Sequence, residues 1–324
     1  AGEDRSPTRP RGSCAHLRAL SISRLRLGVH VRGVRKIASP AAEEVVLESE
    51  LVEDLADVSV HHGDHAVHGG DVDDAEINQV ESRLAVTSGT CAVMGTASTM
   101  ALIGETLGMM LPHTAAIPSV HADRLRAAED TGTLAASLAG TDMTPDRIVT
   151  RESVENALRV LLAVSGSTNA VIHLAAIAGR VGIDIDLKAF NRISDETPVL
   201  VNLKPVGEGY MEDFHTAGGL EAVLRGIGDK LHTGTIDITG QTLAERLSAP
   251  LTDPIDTRYI RPADEPVSPV GGLIALHGNL APGGAILKRA AATPSLLEHE
   301  GRAVVFSSLE DLAGRIDDPA LDVA

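Results

Sequence analysis

One cysteine, Cys91, lies in a short run of small residues that leads into an apolar stretch with helical spacing. The run is flexible up to Gly95, and apolar residues then recur every three or four positions, at Met100, Ile103, Leu107 and Met110. The pattern predicts a helix that begins a few residues after the thiol. The partial positive charge at a helix N-terminus favours a thiolate, the form of cysteine that binds metal or attacks an electrophile. A buried thiol in a tight glycine turn fits the same residues, because free cysteine is among the most buried residue types.

A second polar cluster interrupts a longer helical pattern at residues 165–169. Thr150 is a good N-cap for a predicted helix over residues 151–164, and an apolar stripe resumes at Ala170. We therefore expect two helices joined by a glycine-containing elbow, with Ser167 or Thr168 capping the second helix. Free backbone N–H groups at such a helix start favour an anion, for example a substrate carboxylate or a phosphate. Simple capping explains the same residues, and both interpretations stay open.

Histidines and aspartates are concentrated upstream of Cys91. They are His61, His62, His65, His68, Asp71, Asp73 and Asp74. This density of ligand side chains can bind a transition metal ion. A polar loop with incidental histidines is the alternative, because no helix or strand pattern fixes these side chains in one geometry.

The composition is that of a globular protein with an aliphatic core. Of the 324 residues, 43% are hydrophobic and 23% are charged, whereas aromatic residues make up 2% and tryptophan is absent. Ala, Val, Leu and Ile must therefore fill the interior, which suits helices packed on a parallel sheet. The net charge of −17 argues against nucleic acid as a general partner. Two cysteines cannot form a disulfide framework, which predicts a reducing, cytoplasmic compartment.

Charge is unevenly distributed along the chain. Residues 1–36 carry nine Arg or Lys and two acids, which predicts a solvated basic tail, whereas residues 41–58 have the pattern of an acidic amphipathic helix. Between Arg83 and Asp123 the only Asp, Glu, Lys or Arg is Glu105. This stretch contains many Gly, Ser, Thr and Pro residues, so it predicts buried protein interior and not a membrane span.

The chain divides into three parts. Residues 1–80 stay unassigned and are expected to be disrupted or disordered. Residues 84–250 predict an α/β domain, and a Pro-rich, acidic stretch over residues 250–266 predicts a domain boundary. Residues 262–324 predict an incomplete β-rich domain with short strands and Gly-rich turns.

Within these parts, short apolar runs predict strands, and one helix is expected to begin at His121 and to end near Gly132. The predicted strands are at residues 198–203, 236–238, 271–278 and 303–306.

Several motifs follow one another in the order of a known family. They are residues 88–100, residues 165–174, Lys204-Pro205, residues 211–215 and residues 278–282. With them, the chain resembles the dihydroxy-acid dehydratase/phosphogluconate dehydratase family from about residue 88 to residue 323. The amino-acid sequence around Cys91 is most similar to that of the sugar-acid branch, the arabinonate and xylonate dehydratases. The resemblance implies an α/β fold, with a partial three-layer N-terminal dehydratase domain followed by the start of a β-barrel-like C-terminal domain.

The resemblance also implies an activity. Members are hydro-lyases that remove water from a 2,3-dihydroxy acid, either an aldonic acid or a branched-chain dihydroxy acid, and give a 2-keto acid. The implied cofactors are an iron–sulfur cluster (2Fe–2S or 4Fe–4S), which acts as a Lewis acid, and a magnesium ion. The implied partners are a small sugar-acid or dihydroxy-acid substrate and further copies of the chain in a homo-oligomer, with no nucleic acid and no membrane.

Few of the family's site residues transfer to this sequence. Cys91 matches the last of the cluster cysteines, and Cys14 is similar in context to the first, although a chance cysteine in a basic tail fits as well. Ser167, Thr168 and Asn169 match a motif near the active site and are predicted to bind substrate. No catalytic residue transfers, because the family's Cys-Asp-Lys motif, magnesium-binding Glu and catalytic Ser have no counterpart here.

We therefore expect a truncated or disrupted member of the family that is inactive alone. Two alternatives stay open. The chain could be a non-catalytic interaction partner of a full-length paralogue, or its four clustered histidines could form a metal-binding module.

Overall fold

The computed structural model describes residues 30–32, 91–251, 254–318 and 320–321. Its helices are α1 Thr96–Thr106, α2 Ala122–Leu138, α3 Pro145–Ile148, α4 Arg151–Ala163, α5 Asn169–Arg180, α6 Leu187–Glu196, α7 Met211–Thr216, α8 Gly219–Gly226, α9 Leu243–Ser248 and α10 Leu309–Arg315. Its strands are β1 His30–Arg32, β2 Leu273–Leu276, β3 Ala285–Lys288 and β4 Glu300–Arg302. The predicted acidic helix, Cys14 and the cluster His61, His62, His65 and His68 lie outside the described residues.

Helix α4 is the centre of the described part. Thr150 caps it: the Thr150 hydroxyl accepts the backbone N–H of Ser153 at 3.2 Å, and the Ser153 hydroxyl accepts the N–H of Thr150 at 2.9 Å. The predicted helix over residues 151–164 is thus confirmed. Every residue from Asn156 to Ala163 is buried. A helix that is buried on all sides lies inside the protein, and α1, α5, α6 and α8 pack against it.

Two hydrophobic clusters meet along α1 and α4. Leu102 of α1 belongs to a cluster around Phe214, and the next residue, Ile103, belongs to a cluster around Phe190. Nearly all other members of both clusters are Ala, Val, Leu or Ile. The aliphatic core predicted from the scarcity of aromatic residues is confirmed.

Three of the predicted strands are wrong in detail. Residues 198–203 are extended and largely buried, but they pair with three different segments, because the residues opposite them come from separate loops. Residues 236–238 make one bridge, and residues 303–306 have no regular structure, since β4 ends at Arg302. The isolated bridges are Val199 to Ser268, Val201 to Ile260, Leu203 to Gly209 and Ile236 to Thr242.

The regular sheets in the described residues are small and open. β2 and β3 pair antiparallel, and β1 and β4 pair parallel. The free edge of β2 is covered by Asn191 of α6, whose amide accepts the N–H of Ala275 at 2.7 Å and donates to the carbonyl of Ala275 at 2.8 Å. The described part is therefore mixed α/β with no closed barrel, while the three-layer and barrel-like arrangements stay predictions. No described helix combines the length and the apolar character needed to cross a bilayer.

Glu105 has no exposed side-chain surface and is the hub of a buried polar network. Its carboxylate accepts the backbone N–H groups of His113 at 2.9 Å, Thr114 at 3.0 Å and Ala115 at 2.7 Å, and it pairs with the guanidinium of Arg246. Arg246 also donates to Glu221 at 2.8 Å. Burial opposes the charge on Arg246, but the two carboxylates outweigh it and raise the pKa of the guanidinium. The network fixes α1, the loop at residues 113–115, α8 and α9 relative to one another.

Candidate functional site

The loop that carries Cys91 is held against the start of α1. The Ser98 hydroxyl, in the first turn of α1, donates to the carbonyls of Cys91 at 3.3 Å and of Val93 at 2.9 Å. On the other side, the N–H of Met94 donates to the carbonyl of Lys204 at 2.9 Å. The predicted helix after Cys91 is confirmed, and the half-buried thiol lies beside its N-terminus.

The polar elbow between α4 and α5 is confirmed as the junction of two helices. Ser167 provides the cap, since its hydroxyl accepts the N–H of Asn169 at 3.2 Å. Thr168 occupies the N-cap position of α5 but makes no side-chain capping bond. Of the two residues expected to cap this helix, the structure therefore selects Ser167.

The Cys91 loop and the elbow meet through side-chain hydrogen bonds. The hydroxyls of Thr96 and Ser167 are 2.9 Å apart, and the amide of Asn169 donates to the Thr96 hydroxyl at 3.2 Å. The hydroxyl of Thr99, one turn further along α1, accepts the N–H of Ser167 at 3.1 Å. The starts of α1 and α5 thus converge, and two helix N-termini present their partial positive charges in one region.

Two buried hydroxyls of the elbow have no hydrogen-bond partner among the described residues. They belong to Ser165, which is 5% exposed, and to Thr168, which is 4% exposed. An unpaired buried hydroxyl costs free energy, so such groups are rare and call for an explanation. A ligand oxygen at the start of α5 would give Thr168 the missing partner.

The elbow also stores backbone strain. Ser165 has φ +48°, the left-handed region that costs a residue with a side chain about 1–2 kcal/mol. Close packing keeps it there: a Cβ atom at Gly272 would lie 2.6 Å from the Cβ of Ser165, and one at Gly166 would lie 2.6 Å from the Thr99 side chain. Strain that the surroundings impose in this way is typical of functional sites.

Sequence reasoning missed three of the residues that build this junction. Thr96 and Thr99 are one turn apart on α1 and therefore lie on one helix face, a signal that could have been found once the helix was predicted. Gly272 could not be found, because its contact with Ser165 joins segments that are far apart in the chain.

The described residues provide one thiolate donor, that of Cys91. Such clusters are normally held by four cysteine thiolates, whereas the sequence contains two cysteines, of which only Cys91 is described. Within the described residues, no group of three or more His, Cys, Asp or Glu side chains is placed to hold a metal ion. Cys91 can therefore contribute one ligand, and the described residues do not complete a metal centre.

A separate open cleft of about 1150 Å³ lies on another part of the surface. It is bordered by His113 and Glu221 of the network around Glu105, and by the ring pair of His121 and His215, whose centroids are 5.5 Å apart. Burial and the neighbouring His121 lower the pKa of His215. Of the described residues predicted to bind substrate or metal, which are Cys91, Ser167, Thr168 and Asn169, none lines this cleft.

Comparison with known proteins places most of the described part in one family. The family described as dihydroxy-acid/6-phosphogluconate dehydratase N-terminal matches residues 39–246, and its C-terminal counterpart matches residues 258–323. An L-arabinonate dehydratase of Rhizobium leguminosarum bv. trifolii is 44% identical over 259 residues, which are 79% of this chain and 44% of that protein. A dihydroxy-acid dehydratase of Caldicellulosiruptor bescii is 40% identical over 256 residues, 78% of this chain and 46% of that protein. The chain thus spans somewhat less than half the length of these relatives.

Proposed function

The chain belongs to the dihydroxy-acid/6-phosphogluconate dehydratase family, and from that premise we propose that it carries one part of a hydro-lyase site for small 2,3-dihydroxy acids. Relatives named for L-arabinonate and for dihydroxy acids are 44% and 40% identical to it. Both an aldonic acid and a branched-chain dihydroxy acid are therefore candidate substrates. Two cysteines cannot form a disulfide framework, which supports a reducing compartment, the cytoplasm.

The observation that carries this proposal is the junction of Thr96, Ser167 and Asn169. It places the loop of Cys91 and the start of α5 in one region, although the two segments are more than 70 residues apart. In this proposal Cys91 supplies one thiolate to a metal group. The carboxylate of the substrate is bound at the start of α5 by Thr168, Asn169 and the helix N-terminus.

The family's iron–sulfur cluster and magnesium would supply a Lewis acid for the departing hydroxyl. This chain has too few thiolates to hold that cluster by itself. We therefore propose that the 324-residue chain has little or no dehydratase activity alone, and that Cys14 and Cys91 do not suffice for a stable cluster.

Anaerobic reconstitution tests this proposal. The purified chain is treated with iron and sulfide, separated by gel filtration, and analysed for bound iron, visible absorbance and conversion of L-arabinonate to a 2-keto acid. We expect less than one cluster per chain and no turnover. A brown protein that retains its colour and produces the keto acid would contradict the proposal, and Cys91→Ser and Cys14→Ser variants would then show which thiol holds the iron.

A non-catalytic role as a partner of a full-length relative is the second candidate. It is favoured by the outer face of α5, where Ile172 is 50% exposed beside the exposed Ala175 and Ala176. Apolar side chains grouped on a helix surface are typical of interaction sites. Gel filtration of the chain mixed with a full-length relative tests this role: a complex that Ile172→Glu abolishes supports it, and separate elution of the two proteins excludes it.

A further inference from the structure

A lysine and a tyrosine form a side-chain pair at the two ends of the turn over residues 204–210. The ammonium of Lys204 donates a hydrogen bond to the hydroxyl of Tyr210 at 2.8 Å and lies 4.6 Å from the centre of its ring. The face of an aromatic ring attracts a cation. A free lysine side chain samples many rotamers, so these two contacts together restrict the ammonium to one position.

Backbone hydrogen bonds place this pair beside the Cys91 loop. The carbonyl of Lys204 accepts the N–H of Met94 at 2.9 Å. The N–H of Met211, the residue directly after the tyrosine, donates to the carbonyl of Ala92 at 2.7 Å. The Cys91 loop is therefore bonded to the elbow at one end and to the lysine–tyrosine turn along its backbone.

The charge of Lys204 is not balanced by a carboxylate. Among the described residues, no Asp or Glu forms an ion pair with its ammonium, although the chain contains 45 Asp and Glu against 28 Lys and Arg. The buried cation Arg246, in contrast, is bonded to two carboxylates. The elbow at residues 165–169 offers hydroxyls, an amide and a helix N-terminus, but no side chain with a full positive charge. Lys204 thus gives this region a fixed positive charge, which attracts anions.

We propose that Lys204, positioned by Tyr210, is an anion-binding residue of the Cys91 loop, and that its ammonium compensates the charge of a small carboxylate ligand. The inference rests on the proposed function, in which the ligand is a 2,3-dihydroxy acid, and it adds the cation that the elbow lacks. Tyr210 is a positioning residue, because its hydroxyl accepts the hydrogen bond that holds the ammonium. The tyrosine is 40% exposed and the lysine is half-buried, so a ligand can reach the pair from solvent.

The test compares an anionic and a neutral reagent of nearly the same size. In a Cys14→Ser background Cys91 is the only thiol, and its alkylation rates with iodoacetate and with iodoacetamide are measured. Both reagents alkylate the thiolate with loss of iodide, so the ratio of the two rates cancels any change in the thiolate fraction and reports the charge around the sulfur. The variants are Lys204→Met, Lys204→Arg and Tyr210→Phe. The matched control is Lys188→Met, which removes an exposed lysine of α6.

We expect Lys204→Met to lower the ratio of the iodoacetate rate to the iodoacetamide rate about threefold at low ionic strength. Lys204→Arg should retain the ratio because it keeps the charge, and Lys188→Met should leave it unchanged. Tyr210→Phe should lower the ratio by less than Lys204→Met, since it removes the hydrogen bond but keeps the ring. Added salt should reduce the effect of Lys204→Met, because it screens the charge.

An unchanged ratio in folded Lys204→Met, or an equal decrease in Lys188→Met, would overturn the proposal. Circular dichroism checks the fold of each variant, and Lys204→Gln replaces Lys204→Met in the test if the methionine variant does not fold. Calorimetry with L-arabinonate separates this inference from the proposed function. If the acid does not bind but the ratio responds to Lys204→Met, the proposed function fails and the anion site stands. If the acid binds but the ratio does not respond, the inference alone fails.

Discussion

The buried network around Glu105 gives the sharpest prediction about stability. Replacing Glu105 by glutamine keeps the size of the side chain but removes the charge that faces Arg246. The Glu105 side chain is fully buried and that of Arg246 is 6% exposed, and breaking a buried ion pair on one side costs about 3–5 kcal/mol. Arg246 retains Glu221 as a partner at 2.8 Å. We therefore expect Glu105→Gln to lower the free energy of unfolding by about 3 kcal/mol, near the lower limit of this range.

Glu105→Ala should lower the free energy of unfolding by more, about 5 kcal/mol, because it also removes the acceptor for three backbone N–H groups. One of them belongs to the buried Ala115, and an unsatisfied buried N–H costs about 1–3 kcal/mol. Arg246→Met should cost about 3–5 kcal/mol, since it leaves the carboxylates of Glu105 and Glu221 without their shared cation.

Urea unfolding followed by circular dichroism measures these losses, and a double-mutant cycle isolates the interaction. Glu105→Gln combined with Arg246→Met should destabilise the protein by at least about 1.5 kcal/mol less than the sum of the single variants. Asp142→Asn is the control, because its ion pair with Arg147 is exposed and should be worth less than about 1 kcal/mol. A loss below about 1 kcal/mol in Glu105→Gln, or additive effects in the cycle, would refute the description of this network.

Three further predictions concern the elbow and the cleft. Ser165→Gly should raise the free energy of unfolding by about 0.5–1 kcal/mol, because glycine relieves the strain at φ +48°; a loss of stability in urea would contradict this. Gly272→Ala should lower it by about 2–3 kcal/mol, because the new methyl group would overlap Ser165; an unchanged urea midpoint would contradict the packing of the elbow. The pKa of His215 is lowered in the folded state by burial and by His121, so the unfolded chain binds this proton more readily. Stability should therefore fall as the pH drops from about 6.5 through the lowered value, and His215→Gln should reduce the loss between about pH 7.5 and about pH 5 in urea titrations.

Helix starts could be predicted from the sequence because capping is local. Thr150 was predicted to cap the helix over residues 151–164, and its side chain accepts the backbone N–H of Ser153. The end of α2 was predicted less well. The helix continues past Gly132 to Leu138, because an exposed glycine costs a helix only about 1 kcal/mol relative to alanine.

Strands could not be predicted as well, because pairing depends on residues far apart in the chain. The extended run at residues 198–203 was expected from its apolar side chains, but its partners, Ser268 and Ile260, come from loops about 60–70 residues away. The isolated charge of Glu105 predicted a buried position, which is confirmed, whereas its pairing with Arg246, 141 residues further on, left no local signal.

The two segments of the candidate site were predicted from the sequence, but the contact between them was not. The Cys91 loop and the elbow were each identified from composition and spacing. Their contact depends on the hydroxyls of Thr96 and Ser167, which are 71 residues apart in the chain. Neither periodicity nor capping reports on such a contact, since both describe neighbours along one element.

The claim that Cys91 and the elbow form one site can be tested by a single protection measurement. The alkylation rate of Cys91 is measured in the Cys14→Ser chain with and without saturating L-arabinonate, and again in the Asn169→Ala variant. If the acid binds at the start of α5, it should slow alkylation in the parent chain and have little effect in the variant. An acid that binds with Asn169-dependent affinity but leaves the alkylation rate of Cys91 unchanged would show that the thiol and the elbow belong to different sites.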